Sequence, residues 1–246
     1  MDMFAQVDKL QTQLAAQRLL NPGELARLRD DFVAENTYHS NAIEGSTLTL
    51  HETALILQQG ITIAEKPLHE HLEAIGHRDA FRFIEIFAGQ GVQLTERAIK
   101  DIHALVLMHD ADNKGVYRRV PVQILGAAQQ PPLPYHVPEQ MQQLLADWPS
   151  MQGQHPLQAA ALFHLRFESI HPFIDGNGRT GRLLLNLQLM QAGLLPVNVK
   201  YADRRRYMDC FGAYHATGRA DELTALLAER QVERLQQHIT LLKECP

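Results

Sequence analysis

His171, Pro172, Phe173, Ile174, Asp175, Gly176, Asn177, Gly178, Arg179, Thr180, Gly181 and Arg182 read HPFIDGNGRTGR, and this stretch governs the elements around it. Gly176 and Gly178 flank one polar residue, so left-handed backbone geometry is open to them and successive N–H groups can converge on an anion. A helix start near Arg179 adds unpaired N–H donors and partial positive charge. Arg179 and Arg182 stand three apart on neighbouring positions of one helical face, and guanidinium forks match phosphate oxygens. Asp175 is a carboxylate beside that anion site, a placement that favours Mg2+ bridging it to phosphates. His171, just upstream, is the side chain best suited to take a proton near neutral pH. A bare Gly-Asn-Gly turn would be only a helix-capping loop. With base, metal ligand, anion nest and paired arginines inside twelve residues, the stretch asks for phosphoryl or nucleotidyl transfer.

Working outward, helices lead into and out of this loop. Pro156 suits the first turn of a helix over 155–169, and a second helix over 180–192 is stopped by Gly193 and Pro196. Apolar residues at three-to-four spacing predict further helices over 2–20, 24–44, 66–88, 95–109, 138–148, 204–217 and 221–243. Asn21, Pro22 and Gly23 break the first of these. Thr49 to Glu52 form a capping box that opens a short helix over 50–58. Residues 115–138 differ: Val120, Val122 and Ile124 alternate with polar residues before a Pro-rich run, which predicts a short β-hairpin or extended flap. The expected fold class is mostly α with one β-hairpin flap. The expected organisation is N-terminal helices over 1–50, then a catalytic unit over 51–246 ending in a C-terminal helix.

The chain has 246 residues, 45% of them hydrophobic, which allows one large domain with a sizeable core. A formal charge of −5 argues against nucleic acid or an anionic membrane as partner. Two distant cysteines, Cys210 and Cys245, make no disulfide framework or CxxC motif, and no apolar run has signal-peptide or membrane-spanning length. A cytoplasmic location is expected. Arg204, Arg205 and Arg206 read as a solvated face. Among 13 histidines, His69, His71 and His77 lack the spacing that places two metal ligands on one helical face, and His103 and His164 sit at the edge of apolar patterns.

Upstream, Ser40 and Glu44 are four apart on one helical face, and Gly45 is a natural helix-terminating residue. Alone this pattern says little.

HPFIDGNGRTGR matches the Fic-family motif HxFx(D/E)GNGRxxR at every specified position. Gly115–Arg119 (GVYRR), the Pro-rich flap and the two flanking helices also resemble that family, from about Ser40 to the C-terminal helix. The resemblance implies a Fic-type helical fold and a protein adenylyltransferase. His171 would be the general base that deprotonates a Ser, Thr or Tyr hydroxyl of a target protein, whose oxygen attacks the α-phosphorus of ATP. Asp175 would hold Mg2+ against the phosphates. The N–H groups of Gly176 and Gly178, with Asn177, would bind the α-phosphate, and Arg179 and Arg182 would neutralise the β- and γ-phosphates. Phe173 would face inward and seat the loop. No GxxxxGK(S/T) occurs, so a P-loop grip on ATP is excluded.

Beside such a motif, Ser40 to Gly45 (SNAIEG) resembles the inhibitory (S/T)xxxE(G/N) helix of class II members. Glu44 would then pair with Arg182 and take the space of the γ-phosphate. By the same resemblance the flap docks an extended target segment, from another protein or from the chain itself, with Leu125, Gly126, Ala127 and Ala128 lining the nucleotide. Adenine is expected near Met208, Phe211 and His215, where His215 replaces the Asn of many relatives; by spacing alone Met208 and Phe211 read as core. Helical faces could support a homodimer. De-AMPylation, transfer from another nucleotide donor and a non-catalytic ATP-sensing module are the competing readings.

Overall fold

A computed structural model describes residues 3–17, 22–123 and 129–244. The α-helices among them are α1 (Met3–Ala15), α2 (Pro22–Ile43), α3 (Leu50–Gln59), α4 (Leu68–Gly89), α5 (Glu96–Val106), α6 (Val137–Met151), α7 (Pro156–Ile170), α8 (Asn177–Gln191), α9 (Arg204–Thr217) and α10 (Asp221–Glu244). The fold is an all-α helical domain.

The helix boundaries follow local chemistry. Thr49 Oγ1 accepts from the Glu52 N–H while Glu52 accepts from the Thr49 N–H, so the capping box opens α3 as expected. Pro156 sits in the first turn of α7. Pro67, extended at φ −61 and ψ 143, delays α4 to Leu68. Gly45, at φ +104, ends the turn after α2, where any side chain would strain the backbone.

α8 is the centre of the molecule. Its residues from Leu183 to Leu185, with Leu187 and Leu189, are buried all round, as a helix enclosed by α7, α4 and α5 requires. On one side Phe81, Ile99, Ile102, Phe163 and Phe167 pack against it. On the other, Leu157, Leu165, Tyr207, Leu223 and Leu227 do so, with Val7 of α1 joining them. The N-terminus of α8 therefore points out of the most constrained part of the fold, and α2 crosses beside it.

The expected hairpin over 115–138 is not seen: no strand occurs among the described residues, and 124–128, which include Leu125, Gly126, Ala127 and Ala128, lie outside them. The described arms end in a 3-10 turn at Pro134–His136. Pro121, Pro131, Pro132 and Pro134 lack the N–H that a β-ladder needs, which accounts for the lack of a ladder among the described residues. No helix among the described residues is long and apolar enough to cross a membrane.

Candidate active site

His171 ends α7 in the left-handed region, φ +49 and ψ +61, a conformation that costs a non-glycine residue about 1 kcal/mol. Neighbours hold it there. Its N–H donates to Phe167 O at 3.0 Å, and its carbonyl accepts from Arg118 Nε at 2.8 Å. Arg118 Nη1 and Nη2 also donate to Val120 O and Pro132 O, so one guanidinium ties both arms of the flap region to the start of the loop. Burial, followed by the Arg118 charge, holds the His171 imidazole down at about 4. At neutral pH it is uncharged and free to accept a proton.

The loop after His171 is seated from below. Phe173 is fully buried, with its ring stacked on His103 at 3.6 Å between centroids. His103 Nδ1 accepts from the Gly115 N–H, which leaves its Nε2–H to donate to Asp175 O at 2.9 Å. The Asn177 side chain accepts from the Phe173 N–H and donates to the Phe173 carbonyl, both at 2.9 Å. This amide is therefore occupied as a clamp, and only the Asn177 backbone N–H faces an incoming anion. Gly176, at φ +73, caps α8, which begins at Asn177, three residues earlier than the sequence pattern predicts. Gly178 lies inside that first helical turn, so of the two glycines only Gly176 uses the left-handed region.

Both arginines already hold carboxylates. Arg179, 3% exposed, pairs with Glu73 Oε1 at 2.9 Å and with Asp175 Oδ2 at 3.2 Å. Arg182 donates through Nη2 to Glu44 Oε1 at 2.7 Å and to Ser40 O at 2.9 Å, and through Nε to Ser40 Oγ at 3.1 Å. Burial works against the Arg182 charge, and the Glu44 carboxylate overcomes it, so that its pKa is raised. The Glu44 carboxylate also covers Gly178: a Cβ on that glycine would meet Glu44 Oε1 at 2.2 Å. A carboxylate thus stands on the first turn of α8, where an anion is best received.

Asp175 is 61% exposed along its side chain, and its Oδ1 accepts from the Gly176 N–H at 2.6 Å. No group of three or more His, Cys, Asp or Glu side chains suited to a metal ion occurs among the described residues. One exposed carboxylate fits a magnesium ion that arrives with phosphate oxygens, since Mg2+ in such sites keeps waters and few protein ligands.

On α9, Phe211 packs edge-on against Tyr207 at 5.2 Å, and His215 is half-buried beside Tyr214. Met208 is exposed and not a core residue. Glu73 carries no signal in sequence, and Arg118 is marked there only as part of GVYRR. Glu73 and Arg118 meet the loop only through tertiary contacts. His103 and His164 are enclosed, not at a core edge, and His164 Nε2 lies 2.7 Å from the Tyr207 hydroxyl. Arg204 is not simply solvated, because its Nε donates to Ile43 O at the end of α2.

Comparison with known proteins agrees with this geometry. A family model described as Fic/DOC family matches residues 93–189. The protein adenylyltransferase Fic of Drosophila willistoni is 36% identical over 208 residues, 83% of this chain and 41% of the relative. That of Nematostella vectensis is 37% identical over 180 residues, 71% of this chain and 42% of the relative. The chain thus spans about two fifths of the length of these curated relatives. A Fic domain-containing signalling protein from Bacteroides thetaiotaomicron superposes with TM-score 0.88 at 26% identity, covering 99% of this chain and 97% of that one. Fic-1 from C. elegans superposes with TM-score 0.88 at 30% identity, covering 99% and 73%. With the loop at 171–182 intact and the likeness extending through every helix around it, the chain belongs to the Fic/DOC family.

Proposed function

We propose that this chain is a protein adenylyltransferase that moves AMP from ATP to a Ser, Thr or Tyr hydroxyl of a target protein and is held in check by Glu44. The observation that carries the reading is the pairing of an uncharged His171 with an anion-receiving helix start bearing Arg179 and Arg182. The names of the curated relatives support the same activity.

His171 takes the hydroxyl proton as the oxygen attacks the α-phosphorus, and the bond to pyrophosphate breaks. The N–H groups in the first turn of α8 receive the α-phosphate, and the arginines neutralise the charge of the leaving pyrophosphate. Asp175 would hold a magnesium ion carried in by the nucleotide, and that ion would supply further charge neutralisation. The flap arms tied by Arg118 offer exposed backbone on which an extended target segment can add as a strand.

Glu44 opposes this in two ways. It takes the Nη2 donor of Arg182, and it places negative charge over Gly178, where phosphate oxygens would sit. ATP must displace that carboxylate before it can bind productively. The test is incubation with labelled ATP and cell lysate. Glu44→Gly should label protein at least about tenfold faster than wild type, a change of about 1.4 kcal/mol. His171→Ala in the Glu44→Gly background should remove the label. Equal labelling by wild type and Glu44→Gly would remove the brake, and label retained in the His171→Ala variant would remove the base.

A further inference from the structure

Behind the His171 ring lies a carboxylate that the transfer scheme does not use. Glu168 stands three residues before His171 on α7, and its side chain is 10% exposed. Its Oε2 is 3.7 Å from His171 Nδ1. Its Oε1 is buried without a hydrogen-bond partner, and so is His171 Nδ1. The carboxylate is wedged between the two helices that frame the loop: a Cβ on Gly181 of α8 would meet Glu168 Oε1 at 2.4 Å. Only glycine at 181 leaves room for it. The other oxygen, Oε2, thus faces the unpartnered Nδ1 across a gap less than about 1 Å beyond hydrogen-bonding length. Leaving that bond unmade is costly, and hydrogen bonds at catalytic groups commonly tighten when substrate binds.

We propose that Glu168 is the positioning residue of the His171 base: its carboxylate accepts the Nδ1 proton, so that the Nε2 lone pair is left to face the target hydroxyl. The inference rests on the reading of His171 as the base. Once Nε2 has taken the hydroxyl proton, the same carboxylate stabilises the imidazolium. No proton leaves the pair in this step. The hydroxyl proton stays on Nε2, on the far side of the ring from the carboxylate, until solvent or the leaving pyrophosphate removes it.

The groups that face Glu168 are His164 and His171 on its own helix, Arg182 of α8, Glu44 of α2 and Tyr207 of α9. Burial pushes the Glu168 carboxyl up to about 8, Glu44 adds to the rise, and Arg182 opposes it. Displacing Glu44 therefore leaves Arg182 as the nearest charge and favours the ionised form that the role requires. Burial and, after it, the Glu44 carboxylate that covers the phosphate site keep the positioning carboxyl protonated. The Glu168 backbone carbonyl raises the His171 pKa as well. Glu168→Gln keeps that carbonyl and the shape of the side chain, so it isolates the carboxylate charge.

The experiment uses the full chain in the Glu44→Gly background and compares it with added Glu168→Gln or His171→Ala. Label transfer from ATP is followed from about pH 3 to 9, and the imidazole nitrogens of 15N-histidine-labelled protein are titrated by NMR over the same range, which spans the depressed His171 value of about 4. The His171 signals are assigned by their loss in His171→Ala. Glu168→Gln should lower kcat about tenfold, leave the KM for ATP within about twofold, and move both the acid limb of the rate profile and the His171 titration to lower pH. Transfer abolished by His171→Ala yet unchanged in kcat and pH profile by Glu168→Gln would overturn the proposal alone. Transfer that survives His171→Ala would overturn the base and the proposal together. An unmoved His171 titration in Glu168→Gln overturns the positioning role whether or not a target is turned over.

Discussion

Glu73 Oε1 lies 2.9 Å from Arg179 Nη1, and the guanidinium it holds is almost wholly enclosed. The neighbouring arginine makes a parallel contact, Arg182 with Glu44 at 2.7 Å, but the two carboxylates differ in where they stand. The Glu44 side chain is 37% exposed and rests over Gly178, so it can withdraw into solvent. Glu73 is 15% exposed on α4, the long helix packed along α8, and anchors Arg179 from within the fold.

This difference predicts opposite outcomes for two similar substitutions. Glu73→Gln should leave wild-type labelling unstimulated, because the carboxylate over Gly178 remains. In the Glu44→Gly background it should raise the KM for ATP, since Arg179 loses its anchor. Losing the buried partner should also destabilise the chain by roughly 1–3 kcal/mol, with Asp175 limiting the loss. Thermal melts and ATP titrations check both points. Stimulated labelling by Glu73→Gln would show that Glu73, too, acts as a brake.

Gly178 offers a test of where the Glu44 carboxylate sits that does not depend on activity. Alanine favours a helix interior over glycine by about 1 kcal/mol. In the otherwise unchanged chain that gain is opposed, because the new Cβ would lie 2.2 Å from Glu44 Oε1 and must push the carboxylate off Arg182. In the Glu44→Gly background the nearest remaining obstacle is Arg182 Nη1 at 3.1 Å, the far end of a flexible side chain. Gly178→Ala should therefore destabilise the first and stabilise the second, with a coupling near 1 kcal/mol in a urea-unfolding cycle. Strict additivity would place the carboxylate elsewhere.

Much of this arrangement is legible in the sequence because it is local. The capping box at Thr49, the proline at 156 and the glycine at 176 fix boundaries within a few residues, and the loop carries His171, Asp175, Arg179 and Arg182 within one turn and one helix start. The start of α8 is read three residues late, because the Asn177 clamp on Phe173 is a side-chain bond that periodicity does not register. Glu73 and Arg118 reach the loop across 106 and 53 positions respectively, as the pairs Glu73–Arg179 and Arg118–His171 show, and nothing in their own spacing marks them. Glu168 sits within the same helix turn as His171, but its burial depends on Gly181 of the next helix. Tertiary approach decided these, not local pattern.

Buried histidines set the acid side of stability. Burial, followed by nearby arginine charge, holds His77 down to about 3, and burial does the same for His164. Unfolded, each titrates near its ordinary 6.5. Between these values the unfolded chain binds protons that the native chain refuses, so stability is complete above about pH 7 and falls as pH drops. Each histidine contributes about 1.4 kcal/mol per pH unit. Glu168 works the other way, because its carboxyl, pushed up to about 8, holds a proton in the native state that the unfolded chain releases. His103 and His171, both held down to about 4 chiefly by burial, add to the decline, so four histidines against one carboxyl leave a net loss of about 4 kcal/mol per unit from pH 6.5 to 5. Urea midpoints at pH 7, 6 and 5 should decline accordingly, and His77→Gln should flatten the decline by one histidine's share. A midpoint that rises on acidification would mean that the carboxyl dominates.

Arg118 yields the last prediction, since it serves the base twice. Its guanidinium donates to the carbonyls of Val120, Pro132, Ile170 and His171, and its charge lowers the His171 pKa. Arg118→Leu removes both contributions. The four carbonyls lose their donor, so the arms on either side of 124–128 should become more open to limited proteolysis, and the chain should lose roughly 2–4 kcal/mol of stability. The electrostatic consequence separates Arg118 from Glu168. Without a nearby cation the His171 imidazolium is easier to form, so in the Glu44→Gly background the acid limb of the rate profile should move to higher pH, whereas Glu168→Gln moves it lower. If both substitutions shifted the limb the same way, the limb would be reporting general loosening of the loop and not the charge of the groups that flank the base.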